Sequence, residues 1–444
     1  MKRQYRQIAI VISFAYIILG CTFAAQAATN TQTWTSESSF PAQSILASST
    51  ATGTVSKTGT EAEKFYPRGE RFCFSFYSTS DKDSAYVLER GATAIGPYYG
   101  SQTQPLALAR AMKAPIIYYV LPACMKDRDW DKDPPPNKSE VIEQVAQIVD
   151  AVKDEPLIIM WAVGPAELRF WKKYELQYLE WITSTIRKFD PQHRPVFMYE
   201  PNARSADALQ KTLVFQDVCA KGMYVDFMGF RHNRIWARWS MDQVMEAAST
   251  ARSRQVLPWT VLQMSSDAPP NDRNQIEAQC RHDAYLALVM GAKGILVWSG
   301  ARGRERLKQD FQAYLDSYLS VATDLNGPMG LASIFLKGSE LRAVRMDVKE
   351  GPRWLDLKYG DGYRYRPVTW TTRELDGKLY LFVVNSAETD VQVTFTGLPL
   401  LPWESLFEKG VQGKGNGQLE VGLPPLGVKA YRFSSPTLSA TRRP

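Results

Sequence analysis

Histidine is scarce in this chain, three residues in 444, and His193, His232 and His282 lie too far apart to supply the short spacings of a histidine-rich metal site. Beyond Cys21 there are only Cys73, Cys124, Cys219 and Cys280, whose wide spacing fits neither a zinc ribbon nor a redox pair. A disulfide in an oxidising compartment stays open, but no pairing is readable. No G-x-G-x-x-G or G-x-x-x-x-G-K phosphate loop follows the first strand-like run, so no nucleotide cofactor is expected. No apolar run approaches the ~20 residues needed to cross a bilayer. Net charge is a modest +7 with no Lys/Arg stripe, which argues against nucleic acid as a partner. These absences leave chemistry to side chains alone, with no metal and no cofactor expected.

What is present begins with a targeting pattern. Lys2, Arg3 and Arg6 precede an apolar run from Ile8 to Leu19, and Ala25-Gln26-Ala27 offers a small-x-small cleavage site. Residues 1–27 therefore read as a secretory signal, placing the product in a periplasmic or extracellular compartment. A competing reading takes Ile18 to Cys21, "ILGC", as a lipoprotein box with a lipid anchor at Cys21, although Leu19 is bulky for that position. Residues 28–66 are mostly Ser/Thr-rich without a sustained period and read as a disordered linker.

From residue 67 to about 326, short apolar runs alternate with amphipathic stretches. The runs are Arg71–Tyr77, Ala92–Tyr99, Ala114–Pro122, Pro156–Val163, Arg194–Pro201, Val225–Arg231, Leu257–Met264 and Ala292–Ser299. Between them, Ser139–Lys153, Leu176–Phe189, Met241–Arg252 and Gln275–Gly291 repeat apolar residues every three or four positions, the signature of helices burying one face. Nearly continuous apolar strands separated by helices predict a parallel sheet covered by helices. Eight such units over ~250 residues predict a (β/α)8 TIM barrel. Past Gly327 the helical period gives way to alternating segments, with Asp376-Gly377 placed as a two-residue hairpin turn. Residues 327–434 read as a small antiparallel β-sandwich domain, and 435–444 as a tail.

A barrel of this kind presents its active site at the C-terminal ends of its strands. Counted on the eight expected runs, Tyr77, Tyr98, Trp161, Tyr199, Asn202, Arg231, Gln263 and Trp298 stand there, with Trp130 in the loop after the third. Flat amphipathic rings beside hydrogen-bonding groups suit pyranose sugars, which carry an apolar face and a polar edge; the same rings also serve to seal a barrel top. Hydrolysis of a glycosidic bond needs two carboxyl groups. Glu167 and Glu200 end neighbouring expected strands, ~5 Å apart, where like-charge repulsion keeps one of them protonated. For Glu167 the plainer reading is a first-turn helix glutamate opposing the dipole. For Glu200 it is a carboxylate paired with Arg204 or Arg231. Asp226, at the start of the expected sixth strand, is assigned to the barrel bottom. Asp127, Asp129, Asp131 and Asp133 form a solvated loop.

The stretches "IIMWAVGPAELRFW", "FDPQHRPVFMYEPN", "VDFMGF", "PWTVLQM" and "AYLALVMGAKGILVWSG", taken in order, resemble the glycoside hydrolase superfamily, nearest its retaining β-glycosidase clan. The resemblance spans most of Phe72 to Phe433. It implies an acid/base at Glu167, following a Trp-rich fourth strand, with Ala166 where the clan carries Asn. It also implies a nucleophile ending strand seven, where this chain has Gln263, which cannot form a glycosyl ester. Three readings follow. Glu200 supplies the second carboxylate, a loop acid such as Asp267 does, or the barrel binds glycans without cleaving them; a structural envelope protein tethered through the Ser/Thr stretch is a separate alternative. The leading expectation is an exported glycosidase acting on a polysaccharide or oligosaccharide.

Overall fold

The computed structural model describes residues 60–251, 255–301, 306–360 and 362–434. The signal and lipid-anchor positions, the linker up to residue 59 and the tail lie outside the described residues. Thr60–Tyr66, the end of the expected linker, carry a 3-10 turn at Glu61–Lys64 and bury Ala62 and Phe65. Those two apolar side chains supply the burial that the Ser/Thr-rich stretch before them lacks.

The parallel strands are β1 (Cys73–Phe76), β2 (Ile116–Val120), β3 (Ile158–Val163), β4 (Val196–Phe197), β5 (Tyr199–Glu200), β6 (Val218–Met223), β7 (Leu257–Gln263) and β8 (Gly294–Trp298). Helices α1 (Asp81–Glu89), α2 (Thr103–Met112), α3 (Lys138–Asp150), α4 (Lys173–Phe189), α5 (Ala206–Leu213), α6 (Ile235–Thr250), α7 (Ile276–Met290) and α8 (Phe311–Asn326) lie between and after them. One sheet runs β1-β8-β7-β6-β5 and another β2-β3-β4. Every residue of β2, β3 and β6 is buried, as strands covered on both faces require. Local signals set the helix ends. Asn137 accepts from Ser139 N and Glu140 N at the start of α3, and Gly291 takes a left-handed φ of 110° after α7.

Two junctions connect these sheets. Val196–Glu200 is one run of chain whose first half pairs with β3 and whose second half pairs with β6. Ala92–Tyr99, expected as a strand, forms only an isolated parallel bridge, Ile95 to Ile116. Within it Thr93 N donates to Phe74 O (2.9 Å), and Ile95 N to Pro115 O (2.9 Å). The positive φ of Gly96 and the proline after it interrupt the regular ladder there.

The sixth strand is a correction. It is Val218–Met223, and Val225–Arg231 is the loop that follows it. Lys221 and Gly222 disguise the strand, but Lys221 is fully buried with Nζ donating to Asn202 O (2.6 Å) and Ser240 Oγ (2.7 Å) over the Trp239 ring. Asp226 consequently lies beyond the strand's C-terminal end, not at the bottom.

The chain enters from the other end. Glu61 N donates to Pro156 O (3.1 Å), ahead of β3, and Arg68 Nη1 to Gln192 O (2.7 Å), ahead of β4. Ala62 and Phe65 join the inner cluster of Ile117, Tyr119, Ala162, Phe197 and Trp259. A second cluster, containing Trp161, Val163, Val196 and Met198, packs the outer strand faces against Val141, Val145, Tyr178 and Ile182 of the helices.

Helical structure continues past Gly327 as α9 (Leu331–Lys337), whose Phe335 and Leu336 carbonyls accept from Lys293 Nζ. Antiparallel strands then form β9 (Arg345–Glu350), β10 (Leu355–Leu357), β11 (Tyr363–Tyr365), β12 (Val368–Leu375), β13 (Lys378–Asn385), β14 (Val391–Thr396), β15 (Trp403–Ser405), β16 (Gln412–Gly413), β17 (Gln418–Leu423) and β18 (Val428–Phe433). They make sheets β12-β13-β18-β15-β16 and β17-β14-β9, with β10 and β11 paired alone. Asp376 and Gly377 have φ of 51° and 69°, the left-handed pair that a tight hairpin turn requires between β12 and β13. Phe335 packs on Phe382 at 4.5 Å between ring centroids, seating β13 against α9. Between β10 and β11, Gly362 N donates to Tyr359 O (3.0 Å).

Candidate functional site

Glu167 belongs to a loop, residues 164–172, between β3 and α4. The helix begins at Lys173, and its first-turn acid is Glu175, which is buried and holds Arg169. Glu167 is therefore not a dipole-opposing helix residue. Its backbone is left-handed, φ 65°, a conformation uncommon outside glycine and often retained at functional positions. Its backbone N donates to Tyr199 O (3.4 Å). The residue is exposed to solvent on one side, while protein atoms crowd around its carboxyl on the other. That burial raises its pKa; the Arg204 cation opposes the shift and the Glu200 anion adds to it.

Two tyrosines lie beside this carboxyl and join a larger aromatic group. Tyr199 and Tyr224 stack at 6.0 Å, and both phenols feel the Glu167 charge. Tyr77 stacks on Tyr99 at 5.8 Å, Trp298 meets both edge-on at 5.1 and 5.3 Å, and Tyr119 closes on Tyr99 at 4.9 Å. Burial raises the pKa of Tyr77, Tyr119, Tyr199 and Tyr224, so these phenols stay neutral donors at physiological pH. Glycine makes the packing feasible. A Cβ at Gly164 would lie 2.0 Å from Tyr119 Oη, and one at Gly222 2.5 Å from Tyr199 Oη.

Of the residues expected at the site, Glu167, Tyr77, Tyr199 and Trp298 come together here. Gln263 pairs with Trp298 across β7 and β8, while its Oε1 accepts from Phe227 N (3.2 Å) and its Nε2 donates to Ser265 Oγ (3.2 Å). The others are placed elsewhere. Glu200 follows Tyr199 on the strand and so faces the opposite side, toward α5. It is fully buried, and its oxygens accept from Arg204 Nη1, Thr212 Oγ1 (2.7 Å) and Gln216 Nε2 (2.6 Å). Arg204 also donates to Leu168 O, so the ion pair braces the chain next to Glu167 from behind.

The same alternation displaces Tyr98, whose hydroxyl bonds to Thr79 Oγ1 (2.9 Å) and Ser84 Oγ (3.1 Å), while Tyr99 takes the cleft. Trp161 is fully buried in the helix-facing layer, donating to Asp190 Oδ2 (2.8 Å) under Arg194. Trp130 packs on Tyr174 and Tyr178 of α4. Asn202 is occupied in fixing Tyr224, accepting from Tyr224 N (3.1 Å) and donating to Tyr224 O (3.2 Å). Arg231 binds Asp226 (2.9 Å) in the loop after β6. Asp267 Oδ1 accepts from the backbone of Lys308, Gln309 and Asp310, a loop cap rather than a reactive acid. Among the described residues no cluster of His, Cys, Asp and Glu is arranged to hold a metal ion.

Tyr99 stands beside Tyr98 at the expected second strand end, whereas Tyr119 and Tyr224 carry no such signal in the sequence. Tyr119 sits inside the "IIYYV" run, where its side of the strand depends on register. Tyr224 was obscured by the displaced sixth strand.

No protein family's profile matches the sequence, and no curated protein matches it either. Solved structures do. A protein described as a glycoside hydrolase superposes with a TM-score of 0.52 at 11% identity, over 85% of this chain and 97% of that one. The α-amylase of Geobacillus thermoleovorans, complexed with acarbose, gives 0.50 at 12%, over 82% and 99%. AmyP in complex with maltose gives 0.50 at 10%, over 81% and 90%. At such identity the likeness is one of fold: this chain has the α/β fold of glycoside hydrolases.

Proposed function

We propose that the protein is exported and hydrolyses O-glycosidic bonds of a polysaccharide or oligosaccharide, with Glu167 as the proton donor. One observation carries this: a carboxyl with a raised pKa, in a left-handed backbone at the end of the fourth strand position, beside Tyr199 and Tyr224 at the edge of an aromatic group that includes Tyr77, Tyr99 and Trp298. A general acid must hold its proton near the working pH, and burial supplies that here. The rings and neutral phenols match the apolar face and hydroxyl edge of a pyranose. We read β1 to β8, with Ala92–Tyr99 bridging β1 and β2, as one closed barrel, and the C-terminal sheets as a sandwich. The hydrogen bonds at both sheet junctions support the first, and the 5.4 Å contact of Trp370 on β12 with Phe395 on β14 supports the second.

A second reading, glycan binding without cleavage, is favoured by the placement of Glu200 and Asp267. Hydrolysis calls for another group across the bond, and neither Glu200 nor Asp267 reaches the cleft. Purified wild type and Glu167→Gln incubated with a polysaccharide panel, assayed for reducing ends and by affinity electrophoresis, separate the two. Reducing ends from wild type alone support hydrolysis by Glu167. Retarded migration of both without reducing ends supports binding only, and neither signal on any glycan overturns both.

A further inference from the structure

Ser386, His282 and Asp283 are joined in the order familiar from nucleophile, base and acid. His282 Nε2 lies 2.9 Å from Ser386 Oγ, and Nδ1 lies 2.9 Å from Asp283 Oδ1. All three are buried, with exposures of 1%, 0% and 0%, so no substrate reaches the serine. The connectivity continues elsewhere. Asp283 accepts from Arg234 Nε (2.7 Å) and Arg234 Nη2; Arg234 Nη1 donates to Asp226 Oδ1 (2.8 Å) and Arg231 O (3.1 Å); Asp226 Oδ2 holds Arg231 Nη2 (2.9 Å). The chain of contacts starts after β13 in the C-terminal domain, crosses α7, and ends in the loop after β6. That loop carries Tyr224 of the cleft wall and Phe227, which is 49% exposed and bonded to Gln263.

We infer that Ser386 and His282 are positioning residues for the cleft, through which the C-terminal domain fixes the loop 224–234 and with it the Tyr224 wall. Asp283 accepts only, so His282 carries its proton on Nδ1 and leaves Nε2 to accept from the Ser386 hydroxyl. This fixes the ring, and the ring fixes one oxygen of the carboxylate that clamps Arg234. Ser386 is itself held, its backbone N donating to Pro367 O (2.8 Å) and Asn385 beside it donating to Thr389 O and Pro424 O. The loop is also held by backbone turns, such as Gly229 N to Asp226 O and Phe230 N to Val225 O, by the Asp226–Arg231 pair, and by the bonds of Tyr224 to Asn202 and of Phe227 N to Gln263, but none of these reaches the C-terminal domain. Arg234 is the strong tie, because a guanidinium shared by two buried carboxylates loses several charge-assisted bonds if it moves.

The effect on the cleft rests on the glycan-binding reading; the effect on the loop does not. Ser386→Ala removes one hydroxyl at a site that tolerates a small residue, and His282→Asn removes the ring. Amide hydrogen exchange across 224–234 is expected to quicken about tenfold in Ser386→Ala, with α3 and α4 unchanged, and further in His282→Asn. Affinity electrophoresis on the best glycan should show weakened retention in proportion. Should His282→Asn fail to fold, Ser386→Ala with Ser386→Thr, which restores a hydroxyl and should restore slow exchange, decides alone. Unchanged loop exchange in Ser386→Ala, with quickening confined to residues 385–389, would overturn the inference. Quickened loop exchange in a protein that retains no glycan supports the positioning role and sinks the glycan reading instead.

Discussion

Tyr199 and Glu200 are consecutive residues of β5 and face opposite sides of it, the phenol toward Glu167 in the cleft and the carboxylate toward Thr212 and Gln216 under α5. Two carboxyls that look paired along the sequence are therefore separated by a strand, and they should respond to mutation in different ways.

Glu200→Gln leaves the Arg204 guanidinium buried without its anion. Removal of one partner of a buried ion pair costs on the order of 3–5 kcal/mol, so a denaturation midpoint should fall sharply. Glu167→Gln should abolish the release of reducing ends while leaving stability at neutral pH no lower than wild type. Comparable losses of stability in the two variants would contradict this assignment.

The pH dependence of Glu167 follows from its raised pKa. The folded protein holds this proton to higher pH than the unfolded chain, so the stabilisation is fully present below the ordinary carboxyl pKa. It is lost as pH rises through the folded value. Turnover that depends on Glu167 as acid should decline over the same upper limb. Glu167→Gln should be more stable than wild type above that limb, measured by urea unfolding at a series of pH values.

Lys221 gives the opposite slope. Burial pushes its pKa down to about 7, against ~10.4 in the unfolded chain. Between these values the unfolded state binds the extra proton, so this group makes stability rise with pH by up to ~1.4 kcal/mol per unit. The gain is complete above the unfolded pKa and is lost as pH falls through about 7. Urea unfolding of wild type and Lys221→Met from pH 7 to 9.5 should show a flatter dependence in the variant. Parallel curves would mean that Lys221 stays charged in the fold.

Gly164→Ala tests how tightly the cleft is built. The added methyl meets the Tyr119 phenol and β3 cannot shift freely within a buried sheet, so a loss of roughly 1–3 kcal/mol is expected from overpacking. Gly164→Ala with Tyr119→Phe, which removes the hydroxyl in the way, should recover part of it in thermal melts.

The fold was legible wherever apolar periodicity was clean: β2, β3, β7, β8, α3, α4 and α7 lie within the segments expected or within a few residues of them. It failed at β6, because a lysine inside a parallel strand is uncommon, and only Asn202, Ser240 and Trp239, distant in sequence, make Lys221 acceptable there. The site was half legible for a related reason. Strand-end positions identify which residues sit near the rim, but alternate side chains face opposite ways, and a shift of one residue exchanges Tyr98 for Tyr99 and turns the Glu200 carboxylate behind its strand. Glu167 escaped this uncertainty by lying in the loop, where its left-handed backbone and the Arg204 brace decide its direction.

The entry of the chain has a practical consequence. Phe65, Arg68 and Glu61 fasten residues 60–68 at the strand ends remote from Glu167. A purification handle, fluorophore or solid support joined directly to Thr60 would therefore leave from the strand ends opposite the tyrosines and away from Glu167.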